Sequence, residues 1–352
     1  MKYTFLIVFL TIFISCNNNK RNNKLHAIKY NQGKKVHSNL FDNKENSFSS
    51  IFTKVSEVEL KSDNDHLISK VKKVIITKKN YIVADGRGKQ LLVFDKNGNY
   101  KNSIGRIGKA PGEFESVFDI AVSTKNQILL LDVNLQRVTK YTITGAYLNS
   151  FKIQPGFNIC SDLNGGFYLY NPTESAIAEG ITIKHYSNTG KIDYKFCKPF
   201  FSVGMVGGNI VRDSRGNLFV IHSSEYIIKK YAGNGEYLFE FGNSPKYYIH
   251  LDVKKNNLPS PKKLKEFTPL MKIAVNKKYI FVELGRAKPK TAWLDIYDID
   301  GSLLVSGVKL PSDIYLAYAD NINDIIYFIK IPPNILNTNV IPNYKILGYL
   351  IK

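Results

Sequence analysis

An aromatic residue followed four positions later by glycine occurs five times along the chain: FDKNGNY from Phe94, YTITGAY from Tyr141, YSNTGKI from Tyr186, YAGNGEY from Tyr231 and YDIDGSL from Tyr297. The glycines are Gly98, Gly145, Gly190, Gly235 and Gly301, separated by 47, 45, 45 and 66 residues. One repeat can be read in full. The apolar run Tyr81-Ile82-Val83-Ala84 is followed by the polar turn Asp85-Gly86-Arg87-Gly88, the run Leu91-Leu92-Val93-Phe94 and the turn Asp95-Lys96-Asn97-Gly98. Short runs rich in β-branched and aromatic residues, bounded by Gly, Asn and Asp, predict antiparallel strands joined by hairpins. The repeated glycine predicts a turn residue at positive φ, a conformation other residues adopt at a cost. A period of about 40–50 residues holding four short strands predicts propeller blades rather than a sandwich.

The second strands of the repeats align as YIVAD, ILLLD, FYLYN, LFVIH, IFVEL and IYFIK. They predict blades over 72–104, 117–153, 157–198, 208–241 and 269–308, and a last one over 314–352 that shows only three strands of its own. The segment IFTKVSEVEL at 51–60 alternates imperfectly, with Phe52, Val55, Val58 and Leu60 as candidate buried positions. It is the missing fourth strand, because a ring that closes on itself leaves no unpaired edge. The predicted fold is therefore all-β: a six-bladed β-propeller of four-stranded antiparallel blades, closed by an N-terminal strand joining the last blade. The excess length before Gly301 falls at Asn243 to Phe267, where Ser260-Pro261 ahead of KKLKEF predicts a short helix with a serine N-cap and proline in its first turn.

Ahead of the ring, Lys2 and the apolar run from Tyr3 to Ile14 are too short to span a bilayer comfortably, and Ser15 is a small residue at a processing position. Residues 1–15 are expected to be a signal peptide. Cys16 follows at once, and the arrangement resembles a bacterial lipoprotein signal whose cysteine becomes the acylated N-terminus, with Phe13 where leucine is commoner. Residues 16–50, rich in Asn, Lys and Ser, are expected to be a lipid-anchored linker with one short strand near Leu25 to Tyr30, and 51–352 the propeller.

Between the first two blades lies Ile104-Gly105-Arg106-Ile107-Gly108-Lys109-Ala110-Pro111-Gly112-Glu113-Phe114. Pro111-Gly112 fits the middle of a type II turn. The loop lacks a following helix with Lys-Ser or Lys-Thr, so it is not a phosphate-cradling P-loop. With the preceding FDKNGNY it resembles the six-bladed, NHL-like propeller lipoproteins of Bacteroidetes, whose first blade ends in G-R-x-G-x-G-P-G-E-F/Y; Ala110 stands where that family usually has glycine. The resemblance covers roughly residues 40 to 352 and includes VSEVEL and HLISKVKKVIITKKNYIVAD. It implies an envelope propeller and is nearly silent on activity.

With 49 Lys and Arg against 29 Asp and Glu, the formal charge is +20. The lysines are spread along the whole chain among Asn, Ile and Tyr, as a composition bias spreads them, so a solvated basic surface is expected and not a nucleic-acid face. The blade-to-blade connections and the turns between second and third strands share one face of a propeller. On it Arg87, Arg106, Lys109, Glu113, Arg137, His222, Glu225 and Arg286 are candidate ligand contacts, suited to an anionic or carboxylate-bearing ligand. Arg106 and Glu113 either pair across their turn or face the channel mouth.

Six histidines are present, without HExxH, CxxC or paired spacing, and only His222 ends a second strand. No metal or other cofactor is expected. NHL-like relatives with lyase or lactonase activity hold a metal in the central channel, and a carboxylate version of that site would use Glu225, Asp213 or Asp119. Cys160 and Cys197 fall on the innermost and outermost strands of one blade and are expected to remain free, buried thiols. The favoured reading is an outer-membrane lipoprotein, periplasm-facing and monomeric, whose propeller binds a peptide, glycan or envelope protein without catalysis. The alternative is a metal-dependent lyase or hydrolase with its site in the channel.

Overall fold

The computed structural model describes residues 34–37, 46–62, 65–199, 207–242, 245–251, 260–286, 290–332 and 343–352. The expected signal peptide, Cys16 and the strand near Leu25 to Tyr30 lie outside these. Six antiparallel four-stranded sheets make six blades. Their strands, from the axis outward, are Val71–Ile76, Asn80–Asp85, Gln90–Asp95 and Tyr100–Ser103 in blade one, and Asp119–Val122, Gln127–Asp132, Arg137–Thr142 and Tyr147–Lys152 in blade two. Blade three has Asn158–Ser161, Phe167–Tyr170, Ile183–Tyr186 and Ile192–Phe196; blade four has Asn209–Arg212, Leu218–His222, Glu225–Tyr231 and Tyr237–Gly242. Blade five has Leu270–Val275, Tyr279–Gly285, Ala292–Asp298 and Leu303–Leu310. Blade six has Ile314–Ala319, Ile326–Lys330 and Lys345–Ile351, completed by Phe52–Glu59.

The closing strand pairs Val58 with Ile346 and Ser56 with Gly348. One sequence expectation fails inside it. The register shifts between Gly348 and Tyr349, whose partners are Ser56 and Lys54, so Val55 is the unpaired residue of a bulge and is 45% exposed. Phe52 and Leu60 are buried, and Val58 is half-buried.

The continuous apolar runs follow from the ring. Each sheet is covered on both sides by its neighbours, so successive side chains of a second strand enter different interfaces. Ile82 and Ala84 pack toward blade two, whereas Tyr81 and Val83 pack toward blade six. Six such clusters, one per blade-to-blade interface, form the core. The aromatics of the five repeats, Phe94, Tyr141, Tyr186, Tyr231 and Tyr297, are all buried, and all five glycines have positive φ.

The N-terminal segment also dresses the outside of the ring. Lys34–His37 adds a parallel strand to the outer edge of blade four, Asn46–Ser47 does the same on blade five, and the short helix Phe48–Ile51 leads into the closing strand. Within the 16–50 linker, then, two stretches are held against the propeller. In the insertion before blade five, the helix Pro261–Glu266 is capped by Ser260, whose side chain accepts from the Lys263 N–H, as the sequence predicts.

Candidate functional site

The inner strands of neighbouring blades touch in a closed circle around the axis. At one level of that circle, one residue per blade is polar: Lys73, Asp119, Asn158, Asn209, Lys272 and Tyr315. Each lies opposite the fourth residue of the aligned second-strand motif, respectively Ala84, Leu131, Tyr170, Ile221, Glu283 and Ile329. Each is followed by a buried aliphatic residue: Val74, Ile120, Ile159, Ile210, Ile273 and Leu316. The girdle sits where the inner strands begin, toward the face bearing the blade-to-blade connections.

Several girdle groups hold the ring together. The Lys73 ammonium donates to Asp119 at 2.8 Å, linking blades one and two. The other oxygen of Asp119 accepts the Ile159 N–H of blade three at 2.9 Å. Lys272 donates to the Leu316 carbonyl while Glu283 accepts the Leu316 N–H, at 2.8 and 2.7 Å, so blade five grips both backbone groups of one residue in blade six. Burial lowers the pKa of Lys272, with Lys73 pushing the same way, and burial raises that of Glu283; their opposite charges counter the burial effect in each case. Nearer the opposite face, Arg212 donates to the Ser161 carbonyl and joins blades three and four.

Other groups at this level are uncommitted. The side-chain amides of Asn158 and Asn209 and the Tyr315 hydroxyl are half-exposed and have no hydrogen-bond partner among the described residues. Beside them, the Lys72 ammonium, whose pKa burial lowers, lies 3.9 Å from the centroid of the half-buried Phe118 ring, which meets Phe157 edge-on at 5.5 Å. The Lys290 ammonium lies 5.8 Å from the Tyr315 ring centroid, and Met271 is 47% exposed. Cations, amides, a hydroxyl and two phenyl rings thus share one mouth of the channel, on the inner strands, just ahead of them, or, for Lys290, in the second-to-third turn of blade five.

The candidates read from the sequence fall elsewhere on the connector face. Arg106, Lys109, Glu113 and Arg137 form one patch on the connection between blades one and two. Arg106 donates to Glu113 at 2.7 Å, and Lys109 pairs with Glu115 at 3.3 Å. Arg137 donates to the Lys109 and Glu113 carbonyls. The Ala110 N–H and then Arg106 hold the Glu113 carboxyl below its usual range. The Glu113 N–H closes a turn on the Ala110 carbonyl with Gly112 at φ +80, the type II turn expected of Pro-Gly. Arg106 and Glu113 therefore pair with each other across the turn.

His222, Glu225 and Arg286 surround the insertion on blades four and five. His222 is fully buried, its Nδ1 2.8 Å from the Ser224 hydroxyl. Glu225 faces His250 at 3.4 Å, and the Arg286 guanidinium lies over Trp293 while donating to the Tyr247 carbonyl. Arg87 is exposed on the second-to-third turn of blade one. The eight residues thus form two patches on non-adjacent blade pairs, plus Arg87, and do not converge. The girdle was visible in sequence only as a polar residue preceding the first buried aliphatic of each inner strand. That signal needs the blade register to be seen.

Among the described residues, no three His, Cys, Asp or Glu side chains come together in a way that could hold a metal ion. Cys160 and Cys197 are free and buried, as expected.

Residues 35–352 match the family described as "Domain of unknown function (DUF4934)". The chain belongs to the DUF4934 family. No curated protein matches it in sequence. In structure this DUF4934 chain is similar to a Bacteroides fragilis protein described as a "Putative exported protein", at 17% identity and TM-score 0.61 over 90% of this chain and 98% of that one. It is also similar to a DUF4221 member from Bacteroides vulgatus, at 13% identity and TM-score 0.63 over 86% and 98%. A streptogramin B lyase superposes at 12% identity and TM-score 0.50 over 85% and 98%. At these identities the likeness is one of fold. No helix among the described residues of the DUF4934 chain is long and apolar enough to cross a membrane.

Proposed function

We propose that this DUF4934 protein is an NHL-like envelope lipoprotein, exported by residues 1–15 and acylated at Cys16, whose propeller is a non-enzymatic binding module for a peptide, glycan or partner protein. Its ligand sits at the connector-face mouth of the channel. The observation that carries this reading is the inner girdle: the amides of Asn158 and Asn209 and the Tyr315 hydroxyl, without a hydrogen-bond partner among the described residues, stand half-exposed at the mouth that also holds Lys72, Phe118 and Phe157. Preorganised polar groups with aromatic walls are what small-ligand sites are built from. The metal-assisted lyase or hydrolase alternative needs several donors converging on the axis, and the described residues supply no such set. The patch at Arg106 and Glu113 is a secondary contact region for a partner large enough to spread over the face.

The anchor is tested by Cys16→Ser, which should move the protein from the membrane to the soluble envelope fraction and abolish incorporation of labelled palmitate. The binding role is tested by screening envelope peptides and oligosaccharides for a rise in Tm, since a ligand selective for the folded state stabilises it. A shift that persists undiminished in the Asn158→Ala, Asn209→Ala double variant would place the ligand elsewhere. Stoichiometric divalent metal with substrate turnover would replace this reading by the enzymatic one.

A further inference from the structure

The girdle is not symmetric. Going round the ring, blades five, six and one bring Lys290, Lys272, Tyr315, Lys72 and Lys73 to the mouth, whereas blades two, three and four bring Phe118, Phe157, Asn158 and Asn209. The acidic groups facing the cationic side are already engaged. Asp119 is held by Lys73 and the Ile159 N–H, and Glu283 is buried on the Leu316 N–H. Among the described residues, Lys72 makes no ion pair or hydrogen bond and lies over the face of Phe118 with the Asp119 charge nearby, and Lys290 lies over that of Tyr315. A cation over an aromatic ring in a half-buried site keeps its full charge available to an anion on its open side.

On the strength of the binding role proposed above, we infer that the mouth takes a small organic anion in a fixed orientation. One carboxylate or phosphate head lies toward Lys72 and the blade-one and blade-five lysines. A flat apolar body lies against Phe118 and Phe157, and the Asn158 and Asn209 amides bond to its polar substituents. The cations are all lysines, which act as point charges and do not impose the two-pronged geometry of arginine, so a single anionic group of either chemistry suits them. Lys73 and Lys272 join blades by hydrogen bonds, so Lys72, Asn158 and Asn209, which make no hydrogen bond or ion pair between blades among the described residues, are the positions to alter.

The test is calorimetric titration of the purified protein with phenylacetate, phenyl phosphate, neutral phenylacetamide and inorganic phosphate. At least one of the first two should bind, with affinity that falls as salt rises, and the stronger one names the head group. Lys72→Met should weaken it at least tenfold, and the Asn158→Ala, Asn209→Ala double variant severalfold, with Tm of the unliganded protein unchanged. Equal binding of phenylacetamide, undiminished binding to Lys72→Met, or inorganic phosphate matching phenyl phosphate would each overturn the assignment. So would a failure of both organic anions to bind. If that failure accompanies a peptide or oligosaccharide that still raises Tm, the binding role stands and only this ligand class falls. Consumption of a bound probe would keep the site and overturn the non-enzymatic role instead.

Discussion

At the scale of single residues, the repeated glycines do two things at once. Each reverses the chain at positive φ and lies against the outer strand of the preceding blade, or the residue just after it. A Cβ on Gly98 would fall 1.8 Å from the Glu59 carbonyl of the closing strand, and one on Gly190 would fall 2.2 Å from the Phe151 ring. Gly180, by contrast, has φ +73 with nothing within 4 Å. Alanine at Gly180 should cost only the backbone term, about 1 kcal/mol. Gly190→Ala and Gly98→Ala add a collision and should cost about 3 kcal/mol or more. Gly98 should suffer more, because its obstacle is backbone and not a side chain that can turn. Urea unfolding midpoints of the three variants measure the order. Glu57 offers a second test. Hydrogen bonds from Lys345 and then Lys54 hold its carboxyl down to about 2, from 4.5. Because the folded value is depressed, its stabilising contribution is complete above about 4.5 and is lost as pH falls toward 2. Wild type should therefore lose stability faster than Glu57→Gln across that window, while the two run parallel above pH 6.

Among the elements, the acidic ends of the second strands set the geometry of the connector face. Asp85 accepts the N–H groups of Ser69, Lys70, Arg87 and Gly88, tying the incoming connection and the next turn to one carboxylate. Asp132 plays the same part, accepting the Glu115, Asn134 and Leu135 N–H groups and the Ser116 hydroxyl. The N-terminal segment plays a different part. Its short parallel strands cover outer edges of blades four and five that would otherwise offer free N–H and C=O groups to another chain. Deleting residues 34–51 should leave the ring folded, with Tm lowered by a few degrees and a greater tendency to associate on size-exclusion chromatography. Deleting through residue 60 removes the outer strand of blade six and should abolish cooperative unfolding. Equal behaviour of the two truncations would mean that the closing strand contributes no more than the edge covers.

For the whole molecule, stability depends on six interfaces that close on one another, so a fault in one loosens two neighbours. The thiols report on this packing. Cys160 and Cys197 belong to the same interface between blades three and four, and burial pushes the Cys160 thiol up to about 11. Native protein should resist alkylation at both positions, denatured protein should label both, and a non-reducing digest should show no 160–197 bridge. A bridge would contradict the strand order of blade three.

Blade number, ring closure and strand boundaries were written in the chain itself, because apolar period, turn glycines and buried aromatics act through local geometry repeated at a fixed interval. The pairing of Arg106 with Glu113 was within reach for the same reason: a short turn brings them together. The bulge that turns Val55 outward was not, since it depends on how residues 52–59 meet a partner strand almost 300 residues away. The girdle of Lys73, Asp119, Asn158, Asn209, Lys272 and Tyr315 was not either. Its members are scattered over the sequence and share a level only once six registers are set and the blades close, and only folding decides which of their polar atoms are spent on a neighbour and which remain open to a ligand.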